Sequence, residues 1–193
     1  MKNERENQLL ECAQNGDATA MWELASMYHF PNREFEKALY WYKKAVENGF
    51  NDAILSIAMI YEQMDIQKAF QKDPKANPIS YDLSETTIEW YKKALDFYES
   101  NYLNNPEYAC LAAELLSDED AIEINFEKAF YYYHHAANVE NQPDNAWINI
   151  AQGVLAKMYE LGLGCDKNLE LSKYYREKSK IDDYRYQEIE FHK

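Results

Sequence analysis

Along most of the chain, apolar and small residues recur at helical spacing, in short stripes separated by polar punctuation. Between Gly16 and Asn48, Ala20, Leu24, Met27 and Tyr28 make one stripe, with Ala25 beside it. Phe35, Ala38, Leu39, Tyr42 and Ala45 make a second, and Asn48-Gly49 closes the pair, glycine being favoured just past a helix end. One helix pair cannot bury both stripes by itself, so the unit has to stack on copies of itself. The copies are present. The spacing Gly16–Ala20–Leu24–Ala25–Tyr28 returns 33 residues later as Gly49–Ala53–Ile57–Ala58–Tyr61. The second stripe, KALYWYKKA from Lys37 to Ala45, returns as TTIEWYKKA (Thr86 to Ala94) and as KAFYYYHHA (Lys128 to Ala136). Ala151, Leu155, Ala156, Met158 and Tyr159 open a last copy. The pattern predicts helices at 3–14, 17–29, 32–47, 51–70, 84–103, 106–116, 122–138, 144–161, 167–179 and 182–191. Asp73-Pro74 and Asn77-Pro78 force a loop, because a residue before proline leaves the helical region.

A period in the thirties built from helix pairs is the sequence mark of an α-solenoid. The pattern A-x-x-x-L-A-x-M-Y, then G-x-G before K-A-x-x-W-Y-x-K-A and a closing glycine, resembles the Sel-one-like repeat family, a relative of the tetratricopeptide repeats. The resemblance covers nearly the whole chain. It implies an all-α, right-handed α/α solenoid of about four helix-pair repeats, at about 17–49, 50–104, 105–142 and 144–180. Caps at 1–15 and 181–193 complete a single domain, the last helix covering the open end of the stack. The departures matter too. Only the fourth repeat keeps the G-x-G turn, as Gly162 and Gly164, where the first has His29-Phe30-Pro31. The second repeat carries an insertion: Tyr61 to Thr86 spans 25 residues where Tyr28 to Lys37 spans 9. In the third, Glu107 and Leu115 stand where the first repeat has Ala20 and Tyr28. The family's members typically act as adaptors and scaffolds, so the resemblance implies non-catalytic protein binding on the concave face.

Composition narrows the partner. The chain has 193 residues, 20 basic and 34 acidic, for a net charge of −14. The excess is concentrated between Ala94 and Ala156, where eleven acids face the single base Lys128, a local charge of −10. Such a field disfavours nucleic acid and anionic membrane as ligands and favours a basic protein. The bland alternative is that acidity only keeps the protein soluble. The N-terminal stretch MKNERENQLLECAQ is charged throughout and does not read as a signal peptide. The longest apolar-rich run, Ala53 to Tyr61, is far short of the roughly 20 residues that span a bilayer. Cys12, Cys110 and Cys165 are odd in number and lack C-x-x-C spacing, as expected of reduced, buried thiols in a cytoplasmic protein. A monomer is the simplest assembly.

Candidate chemistry is sparse. His134 and His135 are adjacent on a helix, so their side chains diverge by about 100° and cannot share a metal; they read as exposed. Asp120, Glu123 and Glu127 fall on one predicted helical face, but no nucleophile, phosphate loop or ordered donor set accompanies them. A metal-dependent enzyme built on the 107–127 carboxylates is therefore the weaker alternative, and no cofactor or metal is expected. Seven tyrosines at recurring positions, among them Tyr28, Tyr42 and Tyr133, read as core. Tyr98, Tyr102, Tyr108, Tyr184 and Tyr186 lie outside the pattern, where exposed tyrosines would suit an interface. Aligning the first helices puts Trp22, Leu55, Ala109 and Gly153 at one position. Ser26, Met59, Ala113 and Lys157 share a second, and His29, Glu62, Leu116 and Glu160 a third. These positions vary while their neighbours repeat, as where a partner is read. The partner-binding set expected on these grounds is Trp22, Met59, Glu62, Tyr108, Glu114, Asp118, Glu119, Asp120 and Glu123. The function expected is binding of a basic protein, with neutralisation of a bacterial toxin or effector favoured over a general signalling or assembly scaffold.

Overall fold

The computed structural model describes the chain except residues 1, 31, 74–81, 118–121, 141, 143–144, 183–185, 188 and 192–193. Among the described residues there are nine helices and no strand: α1 (Lys2–Gln14), α2 (Ala18–His29), α3 (Phe35–Glu47), α4 (Ala53–Lys72), α5 (Glu85–Asn101), α6 (Pro106–Ser117), α7 (Phe126–Ala137), α8 (Ala146–Leu161) and α9 (Leu169–Ser179). The fold is all-α, and successive helices pack on one another within α1–α4 and within α6–α9. Side-chain caps set the starts. Asp17 accepts from the Thr19 and Ala20 amides, Asn125 from Lys128, Asn145 from Trp147, and Asn168 from Glu170 and Leu171. Two Asn-Gly pairs mark helix ends, with Gly16 and Gly49 both left-handed at φ 93° and 92°.

The chain divides into two compact units, Met1–Ala94 and Leu95–Lys193. In the first, α2 lies between α1 and α3, and α3 packs on α4. Ala25, Ala38, Ala45 and Ala53 are fully buried, and so are Leu24, Ile57 and Ile60. Alanine at these contacts lets helix backbones approach closely, while the leucine and isoleucines supply most of the apolar area removed from water. The long α4 is joined to the start of α5 by a buried carboxylate. Asp65 accepts from the Thr87 hydroxyl at 2.5 Å and the Ser84 amide at 2.9 Å. Burial alone would raise its pKa, but the Thr87 and Ser84 hydrogen bonds and nearby Lys68 outweigh that and hold it below the usual value.

In the second unit α6 packs on α7, α7 on α8 and α8 on α9, and α6 also meets α8. Ala109, Ala112, Ala113, Ala129, Ala136, Ala151, Leu155, Ala156 and Met158 are fully buried. The G-x-G turn has a steric reason. Gly162 and Gly164 both have positive φ, and a Cβ on Gly164 would collide with the Phe126 carbonyl.

Several expectations need correction. The helix expected from 122 begins at Phe126, because Asn125 caps it there, so Glu123 lies in the preceding loop and shares no helical face with Glu127. The helix expected at 182–191 is helical at 186–187 and not at 189–191, with 183–185 and 188 outside the described residues. Tyr98 and Tyr186, which lie outside the repeat pattern, are buried and offer no exposed ring to an interface. Tyr98 packs against the Phe97 and Tyr108 rings, and Tyr186 docks on α8 and α9. Cys12 is exposed, not buried, whereas Cys110 is buried and Cys165 half-buried, and all three are free thiols. His135, read as exposed, is half-buried and donates from Nε2 to the Leu103 carbonyl at 2.9 Å.

Candidate functional site

The expected partner-binding residues divide between the two units. In the first, Met59 on α4 is 39% exposed, the most accessible of the varying first-helix positions there. Trp22 on α2 is half-buried, its ring 5.5 Å from Phe50, and its indole Nε1 is buried without a hydrogen-bond acceptor. Glu62 is half-buried, and its carboxylate accepts from the Tyr91 hydroxyl at 2.5 Å. His29, aligned with Glu62, is buried instead of presented. Phe30 lies across it at 3.9 Å between ring centroids, and its Nε2 stands 3.4 Å from Gln63 Oε1. Burial lowers the His29 pKa, with the Gln63 contact opposing. Beside it opens a cavity of about 570 Å³ walled by Phe30, Phe35, Ile66 and Phe70, with Arg33, Gln63 and Gln67 as its polar lining.

In the second unit Tyr108 is half-buried against Phe97 (5.3 Å) and Tyr98 (5.5 Å), so its ring is committed largely to packing. Glu114 is exposed on α6 and Glu123 is exposed in the loop before α7. Asp118, Glu119 and Asp120 lie outside the described residues. The acids tune their neighbours. Burial, reinforced by Glu114 and Glu107, pushes the Cys110 thiol up to about 12, and burial, with Glu114 and Cys110 beside it, raises Tyr133 as well. Cys165 is raised as well, by burial and Asp166. Neither thiol is poised as a thiolate nucleophile. Among the described residues no three His, Cys, Asp or Glu side chains converge where a metal could sit, and no helix is long and apolar enough to cross a membrane.

The varying first-helix positions behave differently in the two units. Ala109, Ala113 and Leu116 on α6 are buried, because α6 packs against α8 as well as α7. On α8, Gly153 is buried too. The chain following α9 folds back over it and puts Ile181 where a Gly153 Cβ would be. Tyr186, from the same stretch, donates to Glu160 Oε2 at 2.8 Å, and the Arg176 guanidinium lies 4.3 Å from its ring centroid. The sequence led us to expect the C-terminal residues at the end of the stack, but not over Gly153 and Glu160. The one signal of that contact was the glycine at Gly153, where the other repeats carry Trp22, Leu55 and Ala109.

The family model of the Sel1 repeat matches residues 18–50, 80–96, 107–139 and 150–179. The chain belongs to the Sel1 repeat family. Three matches coincide with helix pairs α2–α3, α6–α7 and α8–α9, and the one at 80–96 takes in most of α5, leaving the lengthened α4 unmatched. Among solved structures the Sel1 chain is similar to a Sel1 repeat protein from Oxalobacter formigenes, at 16% identity and a TM-score of 0.58. That match covers 90% of this chain and 62% of the other. It is also similar to c5321, a protective antigen of uropathogenic Escherichia coli with an SLR fold, at 18% identity and a TM-score of 0.61. There 90% of this chain aligns with 32% of the antigen. The chain thus spans less than two thirds of either structure, and at these identities the likeness concerns the fold alone. No curated protein matches the chain. Sel1 repeat proteins are generally protein-interaction modules.

Proposed function

We propose that this Sel1 repeat chain is a non-catalytic module that binds a basic protein. Within that class its role is to neutralise a basic toxin or effector in the cytoplasm, an immunity-type function. The observation that carries the reading is the charge distribution: −10 between Ala94 and Ala156, with Glu107, Glu114, Glu123 and Glu127 all exposed. A field of that sign draws a basic partner in and turns away phosphate-bearing ligands. The unpaired cysteines fit a reducing compartment. Partner contacts are assigned to Trp22, Met59 and Glu62 in the first unit. In the second they fall to Tyr108, Glu114, Glu123 and the Asp118–Asp120 segment.

Affinity capture with the immobilised chain, with bound proteins identified by mass spectrometry, tests the reading. The partner should have a high isoelectric point and bind with a defined Kd. Met59→Lys places a cation on the proposed face without disturbing the core, since Met59 is partly exposed. Its melting temperature should match the parent while partner affinity falls about tenfold or more. Unchanged affinity would remove the α4 face from the site. An acidic or nucleic-acid partner would overturn the reading.

A further inference from the structure

Two departures from the repeat pattern meet within the first unit, at the cavity of about 570 Å³ beside His29. One is Arg33. It follows Tyr28 by five residues, as Gly164 follows Tyr159, and both positions take a left-handed backbone, at φ 53° and 67°. Glycine adopts that conformation readily and arginine does not, so the first repeat sets a long cationic side chain where the local preference is for none. The other is the length of α4. The helix runs past Glu62, the counterpart of the last α2 residue His29, to Lys72. Its added part presents Gln63, Ile66, Gln67 and Phe70 to the cavity, one helical face at i, i+3, i+4 and i+7. Neither departure serves the core: Phe30 is 60% exposed and Phe70 38% exposed at the cavity walls.

The polar lining is rich in unpaired donors. In a chain of net charge −14, the described residues around this cavity include an arginine and no acid. The Arg33 guanidinium has no ion-pair or hydrogen-bond partner among the described residues, and the adjacent Glu34 is held by Lys37. His29 is 2% exposed, and burial keeps it neutral. Donation from its Nε2 to Gln63 Oε1 at 3.4 Å leaves the Gln63 NH₂ group unpaired, and Gln67 adds a second free amide. His29 Nδ1 is itself buried without a partner, an orphaned polar atom of the kind found where a ligand or water completes a site. Guanidinium and amide N–H groups beside aromatic walls suit a carboxylate carried on an apolar body.

We propose that this cavity binds a small apolar carboxylate. Its ring or alkyl chain lies among Phe30, Phe35, Ile66 and Phe70, and its carboxylate pairs with Arg33 and accepts from the Gln63 amide. The volume, and an apolar wall set with a few polar groups, are those of small-molecule sites. This is a second binding activity, separate from recruitment of a basic protein.

The full chain is titrated calorimetrically with benzoate, 3-phenylpropanoate and octanoate, and with the matching primary amides. At least one acid should bind saturably at one site per chain, and its amide about tenfold or more weakly. Arg33 is exposed, so Arg33→Met should keep the parental melting temperature while affinity for that acid falls about tenfold or more. Arg33→Lys keeps the charge without the two-pronged geometry and should bind with intermediate affinity. No saturable binding of any of the three acids overturns the proposal. So does equal binding of acid and amide, or parental affinity in a folded Arg33→Met chain. Should Arg33→Met fail to fold, Phe70→Ala, at an exposed wall position, decides in its place: weakened binding of the acid supports the site and parental binding refutes it. No protein partner enters the titration, so its failure leaves the basic-partner reading standing, and a failed capture experiment leaves the carboxylate site standing.

Discussion

At the scale of single residues, the structure turns on small side chains at helix contacts and on a few buried polar groups. Ala25 and Ala38 are fully buried where α2 meets α3 and recur in the repeat pattern, so both were legible in the sequence. Replacing either by leucine should separate the helices and destabilise the first unit by about 1–3 kcal/mol in urea unfolding; an unchanged midpoint would contradict close contact. His29 was not legible, because its position aligns with Glu62 and Glu160 and reads as a partner-facing site. Its burial comes with the Phe30 and Phe35 rings packed against it. The folded pKa of His29 lies below the unfolded value of about 6.5, so the unfolded state binds the proton more readily. Stability from this group is complete above about pH 6.5 and is lost as pH falls through the folded pKa. The melting temperature of His29→Leu should therefore fall less than the parent's between pH 7.5 and pH 5.5, as differential scanning calorimetry would show. Parallel curves would mean His29 does not stay neutral in the fold.

At the scale of elements, helix identity followed directly from apolar periodicity. Asp17, Asn105 and Asn168 each cap a helix start, with Asn105 accepting from the Glu107 and Tyr108 amides. The insertion in the second repeat was legible as length: α4 runs to Lys72 and α5 to Asn101, both beyond the other repeats. What joins them was not legible. Asp65 has no periodic counterpart, and nothing local to it names Thr87, 22 residues away, as its partner. Asp65→Ala would strand the Thr87 hydroxyl and the Ser84 amide, and should cost about 2–3 kcal/mol in thermal or chemical unfolding. A loss well below 1 kcal/mol would show that the joint contributes little. The C-terminal helix failed as an expectation for a related reason. Tyr186 and Ile189 stand three residues apart, as on one helical face, but their side chains are satisfied by α8 and α9, and Phe191 meets the Phe126 ring at 5.9 Å, so tertiary contact overrode the local pattern.

At the scale of the whole molecule, family and function follow different signals. Repetition of helix pairs carries the Sel1 assignment, because packing demands the same small and apolar residues in each copy. Partner choice rests on positions free to vary and on charge, which a repeat pattern does not encode. Recruitment of a basic protein by the acids of the 94–156 segment is tested most directly by the association rate constant of the captured partner, measured over about 50–300 mM salt. The parent chain would be compared with a variant carrying Asp118→Asn, Glu119→Gln, Asp120→Asn and Glu123→Gln. Salt screens charge pairs farther apart than about 10 Å, so steering should weaken steadily across that range in the parent. The variant should associate about tenfold more slowly at low salt, with a flatter salt dependence and a smaller change in dissociation rate. Association at the parental rate, with the parental dependence on salt, would contradict it.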